Sequence, residues 1–219
     1  MANDSPIHHL AHLSRIESMQ HFKEHMEQSM LFVRKLQGRV FAIKRAMENN
    51  LENGLYVELG VAQGAGCQIF GKHLAEAGLS LTGFDSFEGL EEDWTGIQTG
   101  RGVGAFSTGG QLPDVPSNVT LVKGWVQDTL PGYLKENKGR PFSFVHMDMD
   151  TYTPTLFALK AIKKQLRKGS VILFDELYGY PGWRHHEYKA LEEVLSPDDY
   201  KYIGFAPQSV SIEILRTPK

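Results

Sequence analysis

SFVHMDMDTYTPTLFALKAIKKQLRKGSVILFDE, residues 143–176, decides how the rest of the chain reads. It opens and closes on apolar runs that end in acids, SFVHMD at Asp148 and SVILFD at Asp175 with Glu176 behind it. Between them, apolar residues at 156, 159, 162 and 166 recur at the spacing of an amphipathic helix whose basic face, Lys160 to Lys168, is solvated. A strand, one helix and a second strand form a crossover unit, so Asp148 and Asp175 should end adjacent parallel strands. Outward from this unit the pattern repeats in LYVELG at Glu58 and in SLTGFD at Asp85. If all four runs are parallel strands, their carboxylates collect along one sheet edge, where open α/β sheets bind ligands.

The remaining chain fits that frame. Expected strands at 55–59, 80–85, 119–123, 143–148 and 170–175 alternate with helices at 66–77, 129–136, 154–167 and 187–195, the order of a parallel sheet covered on both faces. YKYIGFA and SVSIEIL are separated only by Pro207 and Gln208, too few residues for a crossover, so they must pair antiparallel. The expectation is an α/β, Rossmann-like, mostly parallel seven-stranded sheet with a C-terminal antiparallel hairpin. Residues 1–50 read as an N-terminal helical extension and 51–219 as the main domain. Within the extension, apolar residues at 22, 26, 30, 33, 36, 40, 43 and 47 suggest an amphipathic helical region with a break at Gly38. That stripe suits packing against the domain and a homo-oligomeric interface equally. Residues 87–117 form a glycine-rich connection punctuated by Phe87, Trp94 and Phe106, too long for a simple linker, and read as a lid over the sheet edge.

Composition narrows the function classes. A chain of 219 residues with 41% hydrophobic and 22% charged residues can bury one large core. A net charge of −3, with no patch interleaving aromatics and basic residues, argues against a nucleic-acid partner. The single cysteine, Cys67, makes no intrachain disulfide, and the first residues lack the apolar segment of a secretory signal, so cytoplasm is the expected compartment. No run is long and apolar enough for a membrane span, and no membrane partner is expected.

The first strand runs into VELGVAQGAG, with glycines at 60, 64 and 66. Glycines here allow a sharp turn and close ligand approach to the following helix. The dinucleotide pattern G-x-G-x-x-G is absent, and so is a Walker Lys-Ser/Thr. Asp85, ending the next strand, is placed to accept from ribose hydroxyls. Glu58, the glycine turn and that ribose acid together favour S-adenosylmethionine over NAD. In VKGWVQDTLP, Gln127 can meet an adenine edge, and Asp128 has an ordinary reading as a helix N-cap.

VELGVAQGAG, GFDSFEGL, VKGWVQDTLP, HMDMDTYTPT and the LFDE run together resemble the macrocin O-methyltransferase family, metal-dependent enzymes that methylate sugar hydroxyls. VELGVAQGAG and GWVQDTLP are also similar to catechol O-methyltransferase, a more distant relative. The resemblance covers about residues 40–195 and implies a class I methyltransferase fold, with cofactor contacts at Glu58, Gly60, Ala62, Gly66, Asp85, Ser86 and Gln127. Gly64 and Asp128 complete the candidate set. Glu176 stands where that family typically has a second Asp, and Cys67 where a small hydroxyl residue is common.

A sugar hydroxyl is too weak an acid for an unaided carboxylate, and a divalent cation would lower its pKa. Three acids at neighbouring strand ends, Asp148, Asp175 and Glu176, would repel one another without a cation. They are hard oxygen ligands suited to Mg²⁺ before Zn²⁺. Asp148 is assigned as metal ligand and general base. Asp150 reads as a substrate contact or a supporting acid, His146 as a core residue, and His185 and His186 as a solvated helix start or substrate contacts. Tyr178, Tyr180 and Trp183 read as an acceptor wall or ordinary packing. The leading reading is a sugar or glycoside O-methyltransferase. Its rivals are a catechol- or phenol-type enzyme and a cofactor-binding protein without turnover.

Overall fold

A computed structural model describes residues 5–97 and 101–219. Residues 1–4 of the extension and 98–100 of the expected lid lie outside the described residues. The elements run α1 (Pro6–His21), α2 (Lys23–Glu27), β1 (Met30–Leu31), α3 (Lys35–Asn49), β2 (Leu55–Leu59), α4 (Ala65–Ala75), β3 (Leu81–Asp85), β4 (Val119–Lys123) and α5 (Val126–Glu136). Then come β5 (Phe142–Met147), α6 (Tyr152–Ile162), β6 (Val171–Phe174), α7 (Glu187–Val194), β7 (Tyr200–Phe205) and β8 (Val210–Ile214).

One sheet has the order β1-β7-β8-β6-β5-β2-β3-β4. Strand β8 pairs antiparallel with both neighbours, and the other pairings are parallel. The expected parallel strands and hairpin are therefore present, and the sheet has eight strands rather than seven. The addition is β1, two residues from the extension that pair parallel with β7, Met30 opposite Gly204. The chain winds outward from β2 through β3 to β4 and returns to β5 on the other side. This makes the β2/β5 boundary the switch point at which open sheets bind ligands.

Both faces of β2, β5 and β6 are buried, which explains why these strands are continuous apolar runs rather than alternating ones. On one face α3 and α4 pack Ile43, Phe70 and Leu74 against Tyr56 and Phe144. On the other, α5, α6 and α7 pack Leu130, Leu159, Ile162 and Leu191 against Val57, Val145 and Ile172. Each such side chain stabilises the fold by about 1.5–3 kcal/mol relative to exposure.

The extension differs from the expected single stripe. The helical region breaks at 28–34, where β1 joins the sheet, and Gly38 lies inside α3. A Cβ on Gly38 would lie 2.8 Å from Ala206 Cβ, so glycine lets α3 approach the β7–β8 connection closely. That approach brings the first turns of α3 over the strand ends.

Between β3 and β4 the described backbone is tied together. Leu90 N donates to Ala105 O (2.9 Å), Trp94 N to Arg101 O (2.9 Å) and Gly110 N to Phe87 O (2.9 Å). Phe87, Leu90 and Trp94 are buried, which anchors the segment on the sheet edge. No described helix is long and apolar enough to cross a membrane.

Candidate active site

The C-terminal ends of β2, β3, β5 and β6 open into a cavity of about 1150 Å³. Its floor on one side is the glycine turn. Gly60 has φ +92°, and a Cβ there would meet Asp148 O at 1.8 Å, so only glycine lets β2 and β5 end side by side. A Cβ on Gly66 would meet Glu58 Oε1 at 1.8 Å. Gly60, Ala62, Gly66, Asp85, Ser86 and Gln127 all line this cavity.

Three residues of the candidate cofactor set do not line it. Gly64, φ +83°, precedes α4 and packs on Pro113 and Val115. Asp128 is exposed in the first turn of α5, where Trp125 holds the N-cap position, so its carboxylate complements the helix dipole without capping. Glu58 is buried beneath the turn, with Oε1 3.0 Å from His146 Nδ1.

Asp85 has a different first task from the one expected. Its Oδ2 accepts from Val61 N (2.8 Å) and Ala62 N (2.7 Å), and its Oδ1 accepts from Phe87 N (2.6 Å). The carboxylate thus ties the glycine turn to the start of the β3–β4 segment, leaving one oxygen with spare capacity for a ribose hydroxyl. Asp85→Ala should strand three donors, each charge-assisted bond worth about 1.5–3 kcal/mol. It should lower the thermal midpoint as well as cofactor affinity. Lost affinity with an unchanged midpoint would restrict Asp85 to ligand contact.

Gln127 donates to Glu91 Oε2 (2.6 Å), while its own Oε1 is buried without a partner. That orphaned acceptor in the cavity wall suits the amino group of an adenine. The glycine cradle and this acceptor together fit a nucleoside cofactor.

The acid cluster forms the opposite wall, where Asp148, Asp150, Asp175 and Glu176 all line the cavity. Two cations from α3, one helical turn apart, reach into it. Lys35 Nζ donates to Asp175 Oδ2 (2.7 Å) and to Glu176 Oε1. Arg39 donates through Nε to Asp175 Oδ1 (3.1 Å) and through Nη2 to Asp175 Oδ2 (2.8 Å), with Asp148 Oδ2 at 3.4 Å. His146, fully buried, lies between Glu58 and Asp175, its Nε2 3.4 Å from Asp175 Oδ1.

These contacts set the charges. Burial alone would raise Asp175, but His146, Lys35 and Arg39 outweigh it and hold its carboxyl well below the usual range. Burial would lower His146, and its bonds to Asp175 and Glu58 reverse that, favouring the imidazolium. Burial and then the neighbouring carboxylates push Asp148 and Asp150 well above the usual range. Glu176 is pushed up to about 7 by burial and then Asp175, against the pull of Lys35.

A carboxyl raised on folding contributes stability that is complete below its unfolded value, near 4.5, and is lost as pH rises through about 7. In chelator, the unfolding midpoint should therefore fall between pH 5 and pH 8, and a divalent cation should restore it most at the upper end. A midpoint that cations raise equally at both pH values would contradict this origin.

Asp148, Asp150 and Glu176 can each bring one carboxylate oxygen within 4.8 Å of the others. With Glu176 Oε2 buried and unpartnered, this all-oxygen set fits a hard divalent cation. Asp150 stands in this grouping where the expected set has Asp175, whose oxygens are bonded by Lys35, Arg39 and His146. Glu58, His146 and Asp148 form a second grouping, in which the His146–Glu58 hydrogen bond already engages two members.

The other sequence candidates separate. Tyr180 lines the cavity, whereas Trp183 packs in the core against Phe22 and Tyr188, and Tyr178 donates to Ala206 O (2.9 Å). His185 is exposed and His186 is buried against Thr95, neither lining the cavity. Lys35 and Arg39 were missed because their only sequence signal is a basic i, i+4 pair on an N-terminal helix, more than a hundred residues from the acids they bind.

A mostly parallel sheet in this order, closed by an antiparallel hairpin and with a glycine turn at its switch point, is the class I methyltransferase architecture. A family model described as a methyltransferase domain matches residues 57–177, more than half of the chain, and the chain belongs to that family. Among solved structures, CalS11, a calicheamicin methyltransferase, has a TM-score of 0.66 at 22% identity, over 96% of this chain and 93% of its own. The O-methyltransferase NovP gives 0.60 at 21% identity over 83% and 80%, and an O-methyltransferase from Bacillus cereus in complex with SAH gives 0.51 at 14% over 93% and 91%. At these identities the likeness is one of fold. No curated protein sequence matches the chain.

Proposed function

We propose that this methyltransferase transfers the methyl group of S-adenosylmethionine to a hydroxyl of a sugar or glycosylated small molecule, with a hard divalent cation, Mg²⁺ first, at the acid cluster. The observation that carries the reading is that the glycine turn with Gln127 and the acids Asp148, Asp150 and Glu176 face one cavity. The sugar acceptor is supported by the structural neighbour described as a TDP-rhamnose 3'-O-methyltransferase, at 22% identity.

The reaction is an in-line displacement in which the acceptor oxygen bonds to the methyl carbon while the carbon–sulfur bond breaks toward a neutral thioether. The cation would supply a Lewis acid that makes the acceptor hydroxyl more acidic. Asp148, with its side chain 27% exposed, is the base that takes the hydroxyl proton. Arg39 limits the orientation of Asp148 by sharing Nη2 between it and Asp175. Trp94, set edge-on to Tyr180 at 5.8 Å, and Phe106 line the cavity from the β3–β4 segment and act as an apolar lid that excludes water. Incubation with methyl-labelled S-adenosylmethionine and a panel of sugar nucleotides and glycosides, with Mg²⁺ or excess chelator, tests the reading. Label on a hydroxyl only with the cation is expected, and equal transfer in chelator would refute the cation's part.

The N-terminal region is proposed as a homo-oligomer contact. Helix α1 turns its buried Ser14 and Ser18 toward the domain, Ser18 Oγ accepting from Gly179 N (3.1 Å), and leaves Leu10 (52%) and Leu13 (60%) exposed. Sedimentation should show an oligomer that Leu10→Glu with Leu13→Glu converts to monomer, and a monomeric wild type would overturn the contact.

A further inference from the structure

The cavity carries more positive charge than its acid cluster uses. The cluster is bonded by Lys35 and Arg39 of α3. Three further basic side chains line the same cavity, His8 and Arg15 from α1 and Arg101 from the β3–β4 segment. His8, Ala11 and Arg15 recur at helical spacing, so one face of α1 forms part of the wall. Among the described residues Arg15 and Arg101 have no carboxylate partner, and Arg101 lies over the Phe106 ring, 4.4 Å from its centroid. Acids close to them in sequence have other partners. Glu17 pairs with Arg184 (3.0 Å), Glu91 accepts from Gln127 (2.6 Å) and Asp93 accepts from Val103 N (3.0 Å).

Both arginines sit on anchored backbone. Helix α1 is pinned by Gly179 N donating to Ser18 Oγ (3.1 Å), by His21 Nε2 at 2.7 Å from Tyr188 Oη and by the Glu17–Arg184 pair. Arg101 O accepts from Trp94 N (2.9 Å). The cavity volume of about 1150 Å³ exceeds the roughly 300–1,000 Å³ of a pocket for one small ligand, which leaves room for an acceptor beside the cofactor. A guanidinium donates two parallel hydrogen bonds to phosphate or carboxylate oxygens. Two permanent positive charges match the two negative charges of a diphosphate diester, whereas a carboxylate supplies one.

We propose that the acceptor is a sugar carrying a diphosphate, as in a nucleoside diphosphate sugar, whose phosphates are held by Arg15 and Arg101, with His8 on the same face of α1. The inference rests on the sugar-acceptor reading above and narrows it to the charged class. Arg15 and Arg101 are then specificity-determining residues, and the bound phosphates join α1 to the β3–β4 segment.

Calorimetry of UDP and dTDP against the full chain saturated with S-adenosylhomocysteine tests this apart from turnover, in chelator so that no cation bridges the phosphates. Binding of at least one is expected, and raised ionic strength should weaken it. Arg15→Gln and Arg101→Gln should each weaken it about tenfold, with S-adenosylhomocysteine affinity kept. Arg15→Lys should retain more binding than Arg15→Gln. No binding of either nucleotide, or equal binding in both glutamine variants, overturns the proposal. In turnover, nucleoside diphosphate sugars should accept methyl where the matching methyl glycosides do not, and the variants should raise the acceptor KM more than they lower kcat. Transfer to a neutral glycoside that both variants leave unchanged overturns this inference while the sugar-acceptor reading stands. Preferred transfer to a glycoside of a uronic acid assigns the arginines to a carboxylate and also overturns it. If no sugar of any kind accepts methyl, the acceptor reading itself fails and this inference with it.

Discussion

Asp148→Asn is expected to cut methyl transfer by about 10²–10⁴-fold, the usual contribution of a positioned general base. The same variant should leave S-adenosylhomocysteine affinity within a few-fold of wild type. Asp148 follows β5 on the cavity wall, its side chain is more open than those of Asp175 and Glu176, and it meets the glycine turn through its backbone. Asparagine preserves shape and keeps an oxygen for Arg39, so the loss should fall on the chemical step and on cation affinity. Calorimetry of the homocysteine product alongside single-turnover kinetics separates the two. Near-normal turnover with normal cation affinity would remove Asp148 from the proposed mechanism.

Gly60→Ala should have the largest effect on the protein itself. The new Cβ would lie 1.8 Å from Asp148 O and 2.5 Å from Asp148 C, and the backbone there, φ +92°, disfavours any L side chain. The contact is with backbone, so no side-chain rotation relieves it. Strands β2 and β5 would have to part at the switch point, breaking Asp148 N to Leu59 O (2.8 Å) and disturbing Gly60 N to Phe84 O (2.9 Å). A loss of about 4 kcal/mol or more is expected, in the range reserved for backbone collisions and buried-network breaks. Circular dichroism should show a lowered midpoint, and product binding should be lost even where the sheet survives. A variant with wild-type midpoint and affinity would mean that the strand ends are far looser than this geometry.

The parallel sheet was legible because its central strands, buried on both faces, are apolar runs too short for helices, each ending in an acid. The single helix between SFVHMD and SVILFD then set them as neighbours. The hairpin at the C-terminus followed from a two-residue gap. Strand β1 was not legible, because two exposed residues, Met30 and Leu31, carry no periodic signal and their pairing with β7 is decided by tertiary contact. Gly38 reads as a break because glycine usually weakens helices, whereas here its missing side chain serves packing inside α3.

The candidate site divides in a similar way. Gly60, Gly66, Asp85, Gln127, Asp148 and Glu176 reach one cavity, as residues at strand ends and turns should. Three carboxylates at neighbouring strand ends need compensating charge, and the sequence does not show where all of it comes from. Lys35 and Arg39 supply part of that charge from a helix whose sequence shows only a solvated-looking basic pair. Glu58 likewise reads as a ligand contact from its position after an apolar run. It lies one layer deeper, paired with His146 and linking the floor of the glycine turn to Asp175.

The central claim is that a nucleoside cofactor and a divalent cation share this cavity, with the sulfur end of the cofactor facing the acids. Paramagnetic broadening of S-adenosylhomocysteine proton resonances by Mn²⁺ bound to the protein tests it most directly. The account predicts the strongest broadening for the methylene protons beside sulfur and the weakest for the adenine protons, near Gln127. It also predicts that Asp150→Asn removes the gradient. Uniform broadening, or a gradient strongest at adenine, would contradict it.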